Sequence, residues 1–306
     1  MKKSLLSFLW LFAALSSLLV SCSDGNGGDA AGIVCNVSLT ATEGGSATFS
    51  DYLGSSMVVY GESEVTVVAV PNEGYVFLGW YVGDATTPVS SDAEYTFTVS
   101  GDISIKAKFG MFVNGHEYVD LGLPSGIKWA TCNVGANAPE EYGGYYAWGE
   151  TEEKTNYDWG TYKWSFAFST SLTKYCTDSD FGSVDNKTVL DPEDDVAHVK
   201  WGGSWRMPTR AEQNELLTEC TWTWTTLNGV KGYRVTGPNG NSIFLPAAGE
   251  RYGAELDYRG TSASYWSSSL NYYYSITASY LYFYSDKYDW SDFMRYLGRS
   301  VRPVSK

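Results

Sequence analysis

Val65-Thr66-Val67-Val68-Ala69-Val70-Pro71-Asn72-Glu73-Gly74-Tyr75-Val76-Phe77-Leu78-Gly79-Trp80-Tyr81 is the stretch on which the reading of the fold turns. A β-branched run stops at Pro-Asn-Glu-Gly, a turn signal, and a second, aromatic-rich run follows, so the stretch predicts a β-hairpin. Further along, Tyr95-Thr96-Phe97-Thr98-Val99 and Ile103-Ser104-Ile105-Lys106-Ala107-Lys108-Phe109 alternate apolar and polar residues about Ser100-Gly101-Asp102. That alternation predicts a second hairpin with one buried face. Residues 35–109 show no helical periodicity and are enough for a small, marginal all-β domain. In a domain this small Trp80 and Phe77 are expected in the core, because its largest side chains are needed inside.

The whole chain has 306 residues, 43% hydrophobic and 16% aromatic, which allows a substantial core and about two domains. Only 18% of residues are charged, while Gly (32), Tyr (24) and Trp (12) are abundant. Such a balance favours turn-rich β structure over helical bundles. A net charge of -14 argues against a nucleic-acid partner, since binding a phosphate backbone rests on clustered Lys and Arg.

The N-terminus carries an address. Met1-Lys2-Lys3 is a short basic region, and the apolar run over residues 5–20 is too short to span a membrane comfortably. Residues 1–21 therefore read as a signal peptide. Leu19-Val20-Ser21-Cys22 resembles a bacterial lipobox, which makes Cys22 the expected lipidation site. Residues 22–34 are polar and Gly-rich, the composition of a flexible tether. Their acidic character resembles the export tract of surface lipoproteins in gut-type Bacteroidetes, which implies an outer-membrane, lipid-anchored protein displayed at the cell surface. Cys35, Cys132, Cys176 and Cys220 remain; an oxidising envelope would permit disulfides among them, but their spacing fixes no pairing and contains no C-x-x-C.

Residues 112–306 read as a second domain. Thr209-Arg210-Ala211-Glu212 is a capping box that starts a helix, with Ala211, Leu216 and Cys220 expected inward and Glu212, Glu215 and Glu219 toward water. A shorter helix is expected from Asp191, with Pro192 at its first position and Glu193, Asp194 and Asp195 against the positive end of its dipole. The EF-hand spacing is absent from this acidic cluster, so no metal is assigned, although a calcium ion near residues 191–195 stays open. Short strands are expected at Trp222-Thr223-Trp224-Thr225, Ser242-Ile243-Phe244-Leu245 and Tyr280-Leu281-Tyr282-Phe283-Tyr284.

Two resemblances sharpen this picture. Pro71-Asn72-Glu73-Gly74-Tyr75-Val76-Phe77-Leu78-Gly79-Trp80, with Tyr95-Thr96-Phe97-Thr98-Val99 and Ala107-Lys108-Phe109, resembles the divergent internalin B-repeat family, whose units serve as spacers or adhesive repeats of bacterial surface proteins. Tyr118-Val119-Asp120-Leu121-Gly122-Leu123-Pro124-Ser125-Gly126, Tyr146-Ala147-Trp148-Gly149-Glu150-Thr151, Trp205-Arg206-Met207-Pro208-Thr209, Tyr265-Trp266-Ser267-Ser268-Ser269 and Gly298-Arg299-Ser300-Val301-Arg302-Pro303-Val304 resemble the Fibrobacter succinogenes major paralogous domain family. That resemblance implies a C-type-lectin-like fold, shared with formylglycine-generating enzymes. The expected fold class is thus mainly β with an α+β second domain: a small all-β repeat module followed by a C-type-lectin-like domain with two short helices.

Catalysis is not expected. The formylglycine-generating branch holds copper with a late cysteine pair, and no cysteine follows Cys220. His116 and His198 are the two imidazoles, and no nucleophile elbow or zinc motif accompanies them. No catalytic residue, metal or cofactor is assigned. Aromatic residues in the later loops point instead to binding: Tyr273 and Tyr274 beside Asn271, and Tyr288 and Trp290 in an expected polar loop, present flat rings suited to sugar faces or peptide surfaces. Tyr280, Tyr282 and Tyr284 are expected to line one face of a strand and pack. The expected function is non-enzymatic capture of a glycan or protein ligand at the cell surface, with self-association as a structural component, or less favoured a hydrolytic or formylglycine-generating activity, as the alternative.

Overall fold

The computed structural model describes residues 33–306 apart from Thr86. The expected signal peptide, the expected lipidation site Cys22 and nearly all of the expected tether lie outside the described residues. Backbone packing separates two units, one ending at Phe109 and one beginning at Gly110. Both are rich in strand, and the second contains the two α-helices of the described residues.

The first unit is built from β1 (Val34–Ala41), β2 (Gly45–Phe49), β3 (Ser56–Tyr60), β4 (Glu64–Pro71), β5 (Tyr75–Val82), β6 (Glu94–Thr98) and the start of β7 (Ile103–Val113). Inward residues alternate along β4, where Val65, Val67 and Ala69 are buried while their neighbours face outward. The four strands read from the sequence, β4 to β7, fall where the pattern places them, and β1 to β3 join them; the partners of the four differ from those expected. β4 lies between β2 and β6, antiparallel to both, so β5 has no free edge to pair with and joins β7 instead. Likewise β6 bonds to β4, and β7 runs parallel to β1. Neither expected hairpin forms. At the turn the Asn72 N–H donates to the Gly44 carbonyl at 2.9 Å, tying the chain reversal to the turn before β2, while the Tyr75 N–H closes back on the Asn72 carbonyl at 3.1 Å. The core of this unit gathers Val37, Leu39, Val67, Ile105 and Ala107 around Trp80, with Phe77 half-buried against it.

The second unit begins with a tight hairpin. Asn114 and Gly115 both have positive φ, 45° and 81°, the mirror-image turn that joins two strands with two residues. It leads into β8 (His116–Asp120), which pairs with β9 (Lys128–Ala130), and β9 in turn receives β18 (Val304–Ser305), so both ends of the unit meet in one sheet. Two antiparallel three-stranded sheets follow: β10 (Thr221–Leu227), β11 (Val230–Thr236) and β12 (Ser242–Pro246), then β15 (Ala263–Leu270), β16 (Thr277–Phe283) and β17 (Tyr288–Met294). Between them lies the ribbon β13 (Glu250–Tyr252) and β14 (Glu255–Asp257).

Helix α2 (Arg210–Glu219) opens on the expected capping box: the Thr209 Oγ1 accepts from the Glu212 N–H at 3.3 Å and the Thr209 N–H donates to the Glu212 carboxylate at 2.8 Å. Its buried face differs from the expected one. Ala211 is exposed, whereas Gln213 is buried beside Leu216, its Nε2 donating to the Tyr265 and Trp266 carbonyls at 3.1 Å each. Glu212 does not face water; Arg206 grips it with two bonds of 2.5 and 2.7 Å. The helix expected from Asp191 is a 3-10 turn, Pro192–Asp194, and α1 (Val196–Trp201) starts only after Asp195, whose carboxylate caps it through the Ala197 and His198 N–H groups. A capping carboxylate satisfies end donors that Asp191 leaves open.

Tryptophans are prominent in the second core, and three of their indole N–H groups find carbonyls: Trp148 donates to Ser267, Trp205 to Val113 and Trp266 to Tyr146, at 2.8 to 2.9 Å, whereas the buried Trp129 Nε1 has no partner. Three arginines near the C-terminus, Arg295, Arg299 and Arg302, are fully buried among them.

Candidate ligand-binding cleft

Strand β16 decides the site. Leu281 and Phe283 point inward and are buried, so Tyr280, Tyr282 and, just past the strand, Tyr284 share the opposite face. Their rings follow one another at 6.0 and 5.8 Å between centroids. This face is open. Together with Tyr258, Ser262, Ser264, Lys287, Ser291 and Phe293 the three tyrosines wall a cleft of about 630 Å³. Ser264 pairs with Tyr282 across β15 and Ser291 with Tyr280 across β17, which brings small hydroxyls between the rings. Among the described residues those of Ser262, Ser264 and Ser291 form no hydrogen bond.

Glu250 and Arg299 complete the lining. Arg299 is 1% exposed, lies 3.5 Å from the Tyr280 ring centroid and 4.4 Å from that of Trp266, and donates from Nε and Nη2 to one oxygen of Glu250 at 2.9 and 2.8 Å. Burial lowers its pKa from the ordinary arginine value, and Glu250 acts in the opposite sense. Its Nη1 is buried without a hydrogen-bond partner. A buried donor left unpaired costs about 1–3 kcal/mol, so the fold keeps this group at a disadvantage.

The aromatic residues singled out from the sequence do not converge. Tyr273 and Tyr274 project from the loop between β15 and β16, Tyr273 being 77% exposed, and Asn271 shapes that loop by accepting from both their N–H groups. Tyr288 and Trp290 belong to strand β17, not to a loop. Pairing opposite Phe283 and Leu281, they face away from the cleft: Tyr288 stacks on Trp222 at 4.6 Å, and the Arg210 guanidinium covers Trp290 at 3.2 Å. The sequence reading missed the cleft because it assigned Tyr280, Tyr282 and Tyr284 to packing. The signal was present as Tyr-x-Tyr-x-Tyr, whose alternate positions, Leu281 and Phe283, already supply the buried face.

Other candidate groups have partners. In the acidic cluster the Lys174 ammonium bonds to Asp191 and Asp194 at 2.6 Å each, Lys163 reaches Asp194 at 3.1 Å, and Lys187 reaches Asp191 at 2.5 Å. Although burial would raise the Asp194 carboxyl, bonds from Lys174, Tyr175 and Lys163 hold it below its usual range. Lysines thus occupy the place of a cation among the one group of acidic side chains that could converge on a metal in the described residues. His116 stacks on Trp201 at 3.7 Å, and His198 sets its Nδ1 3.2 Å from the Trp205 carbonyl. Asp195, raised by burial, accepts from three backbone N–H groups. No disulfide joins Cys132, Cys176 and Cys220. Burial, with Glu219 and Glu215 nearby, pushes the Cys220 thiol up to about 11. Alkylation of Cys220 at pH 8 should therefore run on the order of a hundredfold slower than that of a free cysteine, which mass spectrometry of timed iodoacetamide quenches would measure.

With this geometry the chain was compared with known proteins. Residues 35–111 match the family model described as the divergent InlB B-repeat domain, so the first unit contains a module of that family. No curated protein and no solved structure matches the chain.

Proposed function

We propose that this is a lipid-anchored bacterial cell-surface protein, non-enzymatic, in which the repeat module acts as a spacer and a lectin-like second unit binds a glycan at the tyrosine cleft. One observation carries the reading: a ladder of three half-open tyrosine rings stands over a carboxylate–guanidinium pair and three unengaged serine hydroxyls. Rings take the apolar face of a sugar, while Glu250 and the hydroxyls answer its donors and acceptors. The moderately exposed tyrosines need little ordering on binding, since each has two side-chain torsions. Lipidation at Cys22 and outer-membrane surface display rest on the N-terminal residues.

The test is a glycan array probed with the full chain, beside a variant carrying both Tyr280→Ala and Tyr282→Ala. Binding that falls by about tenfold or more in the variant, with a melting temperature within a few degrees of the parent, is the expected result. Array-wide silence from the parent chain would overturn the glycan reading. A second reading, self-association as a structural component, draws on β3: it pairs with β1 alone, Val58 and Tyr60 on it are exposed, and Ser56–Tyr60 contains no charged residue to discourage another strand. Concentration-dependent oligomers in analytical ultracentrifugation would support it.

A further inference from the structure

Resting on the glycan reading, we propose that the cleft selects an anionic sugar, one bearing a carboxylate or a sulfate ester, whose charge is met by Arg299 and Lys287 while its ring lies on the tyrosines. Two features of the lining point this way. The first is how Arg299 uses its donors. The two other buried arginines spend their terminal nitrogens on the chain: Arg302 donates from Nη1 and Nη2 to three carbonyls, and Arg295 from the same atoms to three more. Arg299 commits Nε and Nη2 to one oxygen of Glu250 and leaves Nη1 unpaired on a residue that lines the cavity. The edge formed by Nη1 and Nη2 is the planar fork that donates to two oxygens of a carboxylate or sulfate.

The second feature is charge. The lining holds Arg299 and Lys287 against Glu250 as its one acidic member, with Asp289 beside Tyr282 in the adjoining strand register. Lys287 stands at the rim, 5.4 Å from the Tyr282 ring centroid, in no ion pair among the described residues. Two cationic side chains thus meet in one cleft of a chain whose net charge is -14. A neutral sugar offers no anionic oxygen to the orphaned Nη1 or to the rim ammonium. An anionic one supplies it to each.

Isothermal titration of the full chain would test this with three oligosaccharides of equal length: a uronic-acid polymer fragment, a sulfated fragment and a neutral hexose fragment. At least one anionic probe should bind about tenfold or more tighter than the neutral one, and the gap should narrow as salt rises. Which probe wins distinguishes carboxylate from sulfate. Lys287→Ala, at an exposed position, should weaken the anionic probe several-fold more than the neutral one, and Arg299→Lys, which retains charge but loses the fork, should widen that difference further. Equal affinity for neutral and anionic probes would overturn the inference while leaving glycan binding intact. Failure of all three probes, with array-wide silence, would remove the glycan reading itself and this inference with it.

Discussion

Arg302→Met should lower the stability of the second unit by about 3 kcal/mol, a loss read directly as a fall in melting temperature. The guanidinium is fully buried and meets no carboxylate; it bonds instead to Asn133 Oδ1 at 2.8 Å and to the carbonyls of Ala130, Thr131 and Phe244 at 3.1, 2.8 and 2.9 Å. One side chain near the C-terminus thereby joins the residues after β9 to strand β12. Methionine fills similar volume but leaves four acceptors unpaired, at about 1 kcal/mol each. Part of that is offset because a charge no longer has to be buried, a burden visible in the lowered pKa of Arg302. For a unit of this size each kcal/mol moves the midpoint by roughly 2–4 °C, so a fall of about 6–12 °C is expected. Lysine would not rescue it, since a single ammonium cannot reach acceptors spread around a planar fork. A midpoint for Arg302→Met within about 2 °C of the parent would show that water replaces the guanidinium without penalty.

That arginine also marks the limit of what the sequence discloses. β-branched runs and alternation located β4 to β7 of the first unit, though not β1 to β3, and the Thr209–Glu212 spacing located α2. Both are local signals, set by side chains a few residues apart. Pairing is not local: β4 accepts β2 and β6 because its two edges are filled by segments distant in sequence, and the turn at Gly74 reverses the chain without choosing which sheet receives it. Burial of polar residues is equally silent in sequence. Gln213 and Arg295, Arg299 and Arg302 would ordinarily read as solvent-facing, and they are inside because acceptors from distant segments meet them: backbone carbonyls for Gln213, Arg295 and Arg302, and the Glu250 carboxylate for Arg299. The cleft suffered the converse error. Alternation states that Tyr280, Tyr282 and Tyr284 share a face, but whether that face is covered depends on Glu250, Arg299 and Tyr258, which arrive from other segments.

Trp80→Ala in the full chain is expected to unfold the repeat module, because the loss exceeds what so small a unit can spare. Its indole is 0% exposed, packs edge-on against Phe77 at 5.3 Å, and donates from Nε1 to the Asp92 carbonyl at 3.0 Å. The neighbouring backbone leaves no slack: a Cβ on Gly79, whose φ is +133°, would meet Pro88 at 2.6 Å and the Ser90 carbonyl at 2.9 Å, so the segment after β5 is pressed onto the strand that carries the indole. Truncating a buried tryptophan costs about 3–5 kcal/mol. A single core in fewer than about 80 residues rarely supplies more than 3–5 kcal/mol in total. The two magnitudes meet, and the native state of the module ceases to be the dominant one. Hydrogen exchange followed by mass spectrometry should then show the amides of residues 64–70 and 103–109 exchanging at rates near those of an unfolded chain. Trp80→Phe, which retains a ring and gives up the bond to Asp92, should lose only part of that protection. Parent-like protection in Trp80→Ala would mean that the valines of β4 and the isoleucines of β7 hold the module without its tryptophan, and that the buried indole is filling space that the remaining side chains can close.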